Sequence, residues 1–272
     1  MRRLSIAFLT IVCFAPIDNF AQQIYALAKV LELQMPEGGG ANGAGVIWHP
    51  EEQKYYAVFA GNTEFPMAVF DDEGERISED DLSAKFDVRG MWYNKNEKKI
   101  QANGYADGGW VNYELDENGI PTTTTVEAEG MKQPEEQSVG TYNTKNGKIY
   151  FLNGNTIVVY KNNGEETGKE TTLFVGKTNV TDTHKDESQD PFLLPEYYNT
   201  TTLIFTGKEK AELGLYNTDT KSIELYDIKT GLMTEILTLP EEAPQETMFN
   251  FAYANGIYWL FNKEQRQWVG YK

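Results

Sequence analysis

The chain has 272 residues, with 41 acidic against 24 basic side chains for a formal net charge of −17, one cysteine and two histidines. That charge repels nucleic acid and anionic lipid surfaces, so neither is an expected partner. A lone cysteine rules out an internal disulfide framework, and His49 and His184, each without a second histidine or cysteine nearby, offer no zinc-ligand spacing; no metal centre is expected from them.

In chain order, Arg2 and Arg3 precede an apolar run over residues 4–16 and a short polar stretch ending in Asn19-Phe20-Ala21. The run falls well short of the roughly 20 residues that cross a bilayer, so residues 1–21 read as a secretory signal peptide cut before Gln22 rather than a transmembrane segment. Val12 stands where a lipoprotein signal needs a small residue before Cys13. Loss of Arg2, Arg3 and Asp18 makes the remaining 22–272 one charge more acidic, and Cys13 leaves with the signal. An exported chain without a thiol or a disulfide suits a bacterial periplasm or exterior. About 250 residues are enough for one domain with a sizeable core.

The rest of the chain repeats itself. An aromatic residue or leucine followed by a polar turn recurs at Phe70-Asp71, Leu115-Asp116, Tyr160-Lys161, Tyr226-Asp227 and Tyr271-Lys272, at spacings of 45, 45, 66 and 45. A period of this size with four short strands per unit signals an all-β fold, a β-propeller. Strands A to D are expected at 44–48, 54–60, 66–70 and a short polar stretch after Gly74 in unit one. Unit two gives 88–93, 99–104, 110–115 and 122–127. Unit three gives 138–143, 148–153, 156–161 and 171–175, and unit four 201–206, 211–216, 223–227 and 233–239. Unit five supplies 248–253, 257–261 and 267–271 and then the chain stops. The missing outer strand is expected from residues 24–33, whose Ala, Leu, Lys and Glu content also reads as a helix; ring closure favours the strand. Five blades result and a closed monomer is expected. Six would need a degenerate unit between Gly176 and Asn199, where residues 177–198 read instead as an inserted loop. Gly38-Gly39-Gly40 and Gly43 lack the Lys-Ser or Lys-Thr of a phosphate-binding loop and read as a connector.

Asp87, Glu136, Glu196 and Glu246 each lie a few residues before an A strand, in the connection from the preceding blade. In a ring they approach one rim of the central channel, where they could bind Ca²⁺ or serve as an acid and base pair; as solvated loop acids they would do neither. Trp48, Trp92, Tyr142, Phe205 and Tyr253 fall near A-strand ends, positions that fill the space between blades or face the channel. His49 before Pro50 reads as a hydrogen-bonded turn histidine.

In blade count and export the mature chain resembles secreted bacterial five-bladed propellers, a group that includes glycoside hydrolases with three essential carboxylates at the channel mouth and lectins that bind sugars between blades. The turns Asp71-Asp72-Glu73-Gly74 and Asp116-Glu117-Asn118-Gly119 are similar to strand-connecting turns of extracellular bacterial propellers. No run matches a catalytic signature of the hydrolases. The expected function is therefore an exported, non-enzymatic propeller that binds a protein or carbohydrate partner through one rim, with Asp87, Glu136, Glu196, Glu246, Trp48, Trp92 and Tyr142 as candidate contacts and no cofactor beyond a Ca²⁺ at the rim. Residues 177–198 and 38–43 are the expected contact loops. The alternative is a glycoside hydrolase-like enzyme using the rim carboxylates.

Overall fold

The structure is a computed structural model that describes residues 23–38, 42–61, 64–179 and 193–272. The expected signal peptide over 1–21 lies outside the described residues, as do Gly39 and Gly40 of the connector and residues 180–192 of the insertion, with His184 among them. The described residues form strands and no helix; none is therefore long and apolar enough to cross a membrane as a helix.

Five small sheets make a five-bladed propeller. Blade one is β3 (Asn42–His49), β4 (Lys54–Ala60) and β5 (Met67–Phe70); blade two is β6 (Val88–Asn94), β7 (Lys99–Gly104), β8 (Trp110–Leu115) and β9 (Pro121–Ala128). Blade three is β10 (Thr141–Asn143), β11 (Lys148–Asn153), β12 (Thr156–Tyr160) and β13 (Glu166–Thr172). Blade four is β14 (Ile204–Phe205), β15 (Leu213–Asn217), β16 (Ser222–Tyr226) and β17 (Met233–Thr238), and blade five β18 (Phe251–Ala254), β19 (Ile257–Asn262) and β20 (Gln267–Tyr271).

Period-two alternation explains why such sheets stack into a ring. In β4, Tyr55, Ala57 and Phe59 face the cluster shared with blade five, where they meet Trp259, Phe261 and Trp268. The intervening Tyr56, Val58 and Ala60 face blade two and pack with Ile100, Ala102 and Tyr113. Each blade is thus apolar on both faces and needs a neighbour on each side. Further clusters join blades two and three through Trp92, Trp110, Phe151 and Tyr160, three and four through Leu152, Val159, Leu215 and Tyr226, and four and five through Ile223, Leu225, Leu260 and Tyr271. The cluster of blades five and one closes the circle.

The N-terminal segment is strand, as ring closure requires, but it serves two blades rather than one. β2 (Lys29–Gln34) pairs antiparallel with β20, matching Leu33 with Trp268 and Gln34 with Gln267. β1 (Gln23–Ala26) runs parallel to β17 of blade four, so that sheet gains a fifth strand. Leu27 N–H donates to Thr238 O and Ala28 N–H to Lys272 O, which turns the chain from one blade to the next.

Several strand expectations need correction, among them the inner strand of blade five, which is Phe251–Ala254 rather than 248–253. The outer strand of blade three is Glu166–Thr172 rather than 171–175, because Glu165-Glu166 directly follows the turn closed by Gly164 N–H on Lys161 O. Blade one has no regular outer strand: Ile77 N–H and Ser78 N–H both reach Val69 O, and the ladder stops at the isolated bridges Phe70 with Arg76 and Pro66 with Ser83. The inner strands of blades three and four are shorter than 138–143 and 201–206, because Val139 N–H donates across blades to Thr201 O instead of into its own sheet.

Candidate functional site

β3, β6, β10, β14 and β18 are each the innermost strand of a sheet, with one edge free toward the ring axis. All five begin at the connections between blades and end at the A–B turns, so the channel has two unlike mouths. A cavity of about 570 Å³ runs along them, walled by Val46, Met91, Trp92, Tyr142, Phe205 and Phe251. It opens at the A–B turns, where Glu51, Lys95, Lys98, Thr144, Thr206 and Asn255 border it.

Three half-buried rings stand around this mouth, each propped by a second ring. Trp48 lies 4.6 Å from Tyr55, Tyr93 lies 4.5 Å from the His49 imidazole, and Tyr253 lies 4.9 Å from Tyr258. Deeper in, Trp92 donates its Nε1–H to Gln101 Oε1 at 2.9 Å and Tyr142 its hydroxyl to Asn94 Oδ1 at 3.1 Å. The indole and phenol polar atoms are thus spent on the walls, and the ring faces are what the cavity receives. Trp48, Trp92 and Tyr142 all line the cavity, together with Phe205 and Tyr253.

The four acids lie at the other end of the inner strands, on the connections between blades. A register break between Val88 and Gly90 bulges Arg89 out of the β6 ladder. Its guanidinium is buried, donating from Nη1 to Asp87 Oδ1 at 2.5 Å, from Nη2 to Asp87 Oδ2 at 3.1 Å and from Nε to Gln137 Oε1 at 2.6 Å. The Tyr105 and Phe249 rings sit at 4.6 and 5.6 Å from its Cζ. Tyr105 in turn donates its hydroxyl to Glu136 Oε2 at 2.9 Å, and that bond, with the carboxylate charge, holds the phenol above its ordinary pKa. Asp87 and Glu136 are therefore joined through Arg89 and Tyr105. Glu246 pairs with Lys263 at 2.6 Å, and Glu196 is exposed. Among the described residues no three His, Cys, Asp or Glu side chains group closely enough to hold a metal ion, so the acids do not form a three-carboxylate Ca²⁺ site.

His49 is buried at the start of the first A–B turn, and its Nδ1 accepts from Glu52 N–H at 3.1 Å, the turn role expected of it. Burial lowers its pKa below 6.5, against the opposing pull of Glu52 and Glu51. The folded state then binds fewer protons than the unfolded one over the interval beneath 6.5, so His49's contribution is complete above that pH and falls as pH drops through it. Urea midpoints at pH 7.5 and 5.5 should separate more for the native protein than for His49→Gln, which keeps an acceptor and cannot titrate.

The expected contact loops are partly structural. Tyr198 donates to both oxygens of Glu224 at 2.9 Å, and Asn199 Nδ2 donates to Phe249 O at 2.6 Å, anchoring the end of the insertion to blades four and five. Glu224 is a buried mid-strand carboxylate that also receives Tyr226 O–H at 2.5 Å and Asn217 Nδ2 at 3.1 Å. Gly43 belongs to β3 rather than to the connector: a Cβ there would lie 2.3 Å from Trp268 Cζ2. Sequence reasoning missed Arg89, Glu224 and Lys95. Only Arg89 carried a signal, as a basic residue inside an otherwise apolar inner strand.

No family model matches the chain, and no curated protein sequence matches it. Solved structures do. Myxococcus xanthus glutaminyl cyclase superposes with a TM-score of 0.58 at 10% identity, covering 93% of this chain and 98% of that one. Regucalcin from Agrobacterium tumefaciens, a calcium-binding protein, superposes at 0.51 and 10% identity, covering 92% and 95%. What is shared is the propeller fold. At this identity the likeness extends to no activity.

Proposed function

We propose that the protein is an exported, non-enzymatic propeller that binds a glycan at the open mouth of its channel. The observation that carries this reading is the trio of supported, half-buried rings, Trp48, Tyr93 and Tyr253, around an apolar cavity walled by free strand edges. A pyranose has C–H faces that stack on aromatic rings and hydroxyls that need directed partners. Ring faces and unpaired edge N–H and C=O groups supply both. Export rests on Arg2-Arg3 and the apolar run after them, and the monomer on ring closure.

A hydrolase acting through the rim carboxylates draws less support. Asp87 gives both oxygens to Arg89 and Glu136 gives Oε2 to Tyr105, at the end of the inner strands away from the cavity mouth. A protein partner is favoured by a separate feature, the exposed Tyr105, Met131, Leu193, Tyr197 and Met248 on the loops of that same opposite face.

On a glycan array the native protein should select a subset of sugars, and Trp48→Ala should lose about tenfold or more of that affinity, equivalent to roughly 1.4 kcal/mol. Trp48 is partly buried against Tyr55, so native and variant are compared well below the variant's own thermal midpoint. Unchanged binding by this variant would remove the channel mouth from the account.

A further inference from the structure

Resting on the glycan-binding reading above, we infer that the sugar held at the channel mouth is an acidic one, a uronate whose carboxylate meets Lys95. The charge of the molecule is unevenly spread along the ring axis. Around the A–B turns basic groups equal or outnumber acids in three blades: Lys95, Lys98 and Lys99 against Glu97 in blade two, Lys145 and Lys148 unopposed in blade three, and Lys208 and Lys210 against Glu209 and Glu212 in blade four; blade one has Glu51 and Glu52 against Lys54, and the turn of blade five is uncharged. At the opposite end acids outnumber bases: Glu79, Asp80, Asp81 and Asp87 lie with Lys85, Asp80 being paired to Arg76 and Asp87 to Arg89, and Glu241, Glu242 and Glu246 outnumber the Lys221 and Lys263 that pair with Glu241 and Glu246. In a chain of net charge −17 the A–B turns thus repel an anion less than the connections between blades do.

Within the mouth the charges resolve to one residue. Lys98 Nζ sits 2.6 Å from Glu51 Oε1, so those two lining groups neutralise one another. Lys145 pairs with Glu212 at 3.4 Å and Lys208 with Glu235 at 2.5 Å. Lys95 is exposed, borders the cavity beside Tyr93, and has no carboxylate partner among the described residues. An ammonium on a flexible stem at the border of a cavity lined by aromatic rings matches a sugar ring carrying a carboxylate at its edge. A neutral sugar would leave that charge unused.

The test compares a galacturonic acid oligosaccharide with a neutral galacto-oligosaccharide of the same length, by tryptophan fluorescence titration of the full chain. The native protein should bind the uronate about tenfold tighter or more at low salt, with the gap narrowing at high ionic strength. Lys95→Glu should weaken uronate binding at least about tenfold more than it weakens the neutral sugar, and Lys229→Glu, the same charge change on an exposed C–D turn, should leave both affinities unchanged. If the neutral sugar binds as tightly as the uronate, or Lys95→Glu weakens both alike, the mouth binds glycans without selecting an anion and this inference is overturned. Binding of neither sugar, with no glycan selected on the array, would sink the underlying reading as well.

Discussion

Replacing Leu33 with alanine should cost about 3 kcal/mol, within the 2 to 5 usual for truncating a buried leucine, and lower the thermal midpoint by roughly 6 to 12 °C for a domain of this size. Leu33 is fully buried, although the rest of β2 is largely exposed, and its partner across the ladder is Trp268. It sits in the cluster that joins the last blade to the first. Lost contact there loosens the seam on which the whole ring depends, since each blade is apolar on both faces. The neighbouring Val30→Ala, at an exposed position of the same strand, should change the urea midpoint little. Equal effects from the two substitutions would mean that β2 does not seal the ring.

Gly90→Ala should be nearly as damaging, for the opposite reason. A Cβ at Gly90 would fall 2.5 Å from the Gly140 backbone nitrogen and 2.6 Å from Asn103 Oδ1, where the inner strands of blades two and three approach. A backbone cannot step aside as a side chain can, so overpacking here should reach the upper part of the usual 1 to 3 kcal/mol or exceed it. Gly45→Ala supplies the control. Its nearest neighbour would be Met91 N at 3.7 Å, an ordinary contact, and its thermal midpoint should stay within about 2 °C of the native value. Should both variants melt alike, close approach of the inner strands is not what holds the channel together.

The ring was legible because its cause is periodic. The aromatic or leucine turn positions fall at the ends of the C strands Met67–Phe70, Trp110–Leu115, Thr156–Tyr160, Ser222–Tyr226 and Gln267–Tyr271, where every blade places a large apolar side chain. The helical flavour of residues 24–33 also has a structural cause: as outer strands β1 and β2 expose nearly every side chain, and only Leu33 is buried. An exposed strand selects composition weakly. The parallel docking of β1 on blade four left no mark, since its contacts are mainly backbone hydrogen bonds.

The site was legible only in part. Strand position placed Trp48, Trp92 and Tyr142 beside the channel, and they line the cavity. It also placed Asp87, Glu136, Glu196 and Glu246 on the connections between blades, but position before a strand does not fix what a carboxylate touches. Asp87 is two residues before Arg89, on the same side of an extended chain, and this spacing is what turns it onto the guanidinium. That pairing depends on the bulge at Arg89, which periodicity does not show. Lys95 was hidden differently: in a turn rich in Lys, Asn and Glu, only the partners of its neighbours single it out.

The central claim is that ligand enters the channel at the A–B turns. Amide hydrogen exchange with and without the glycan selected on the array tests it most directly. Protection should appear at residues 49–53, 94–98 and 143–147, around Trp48, Tyr93 and Thr144. Protection confined to residues 78–87, 129–137 and 239–249, the connections carrying Asp87, Glu136 and Glu246, would contradict it and move the site to the opposite face.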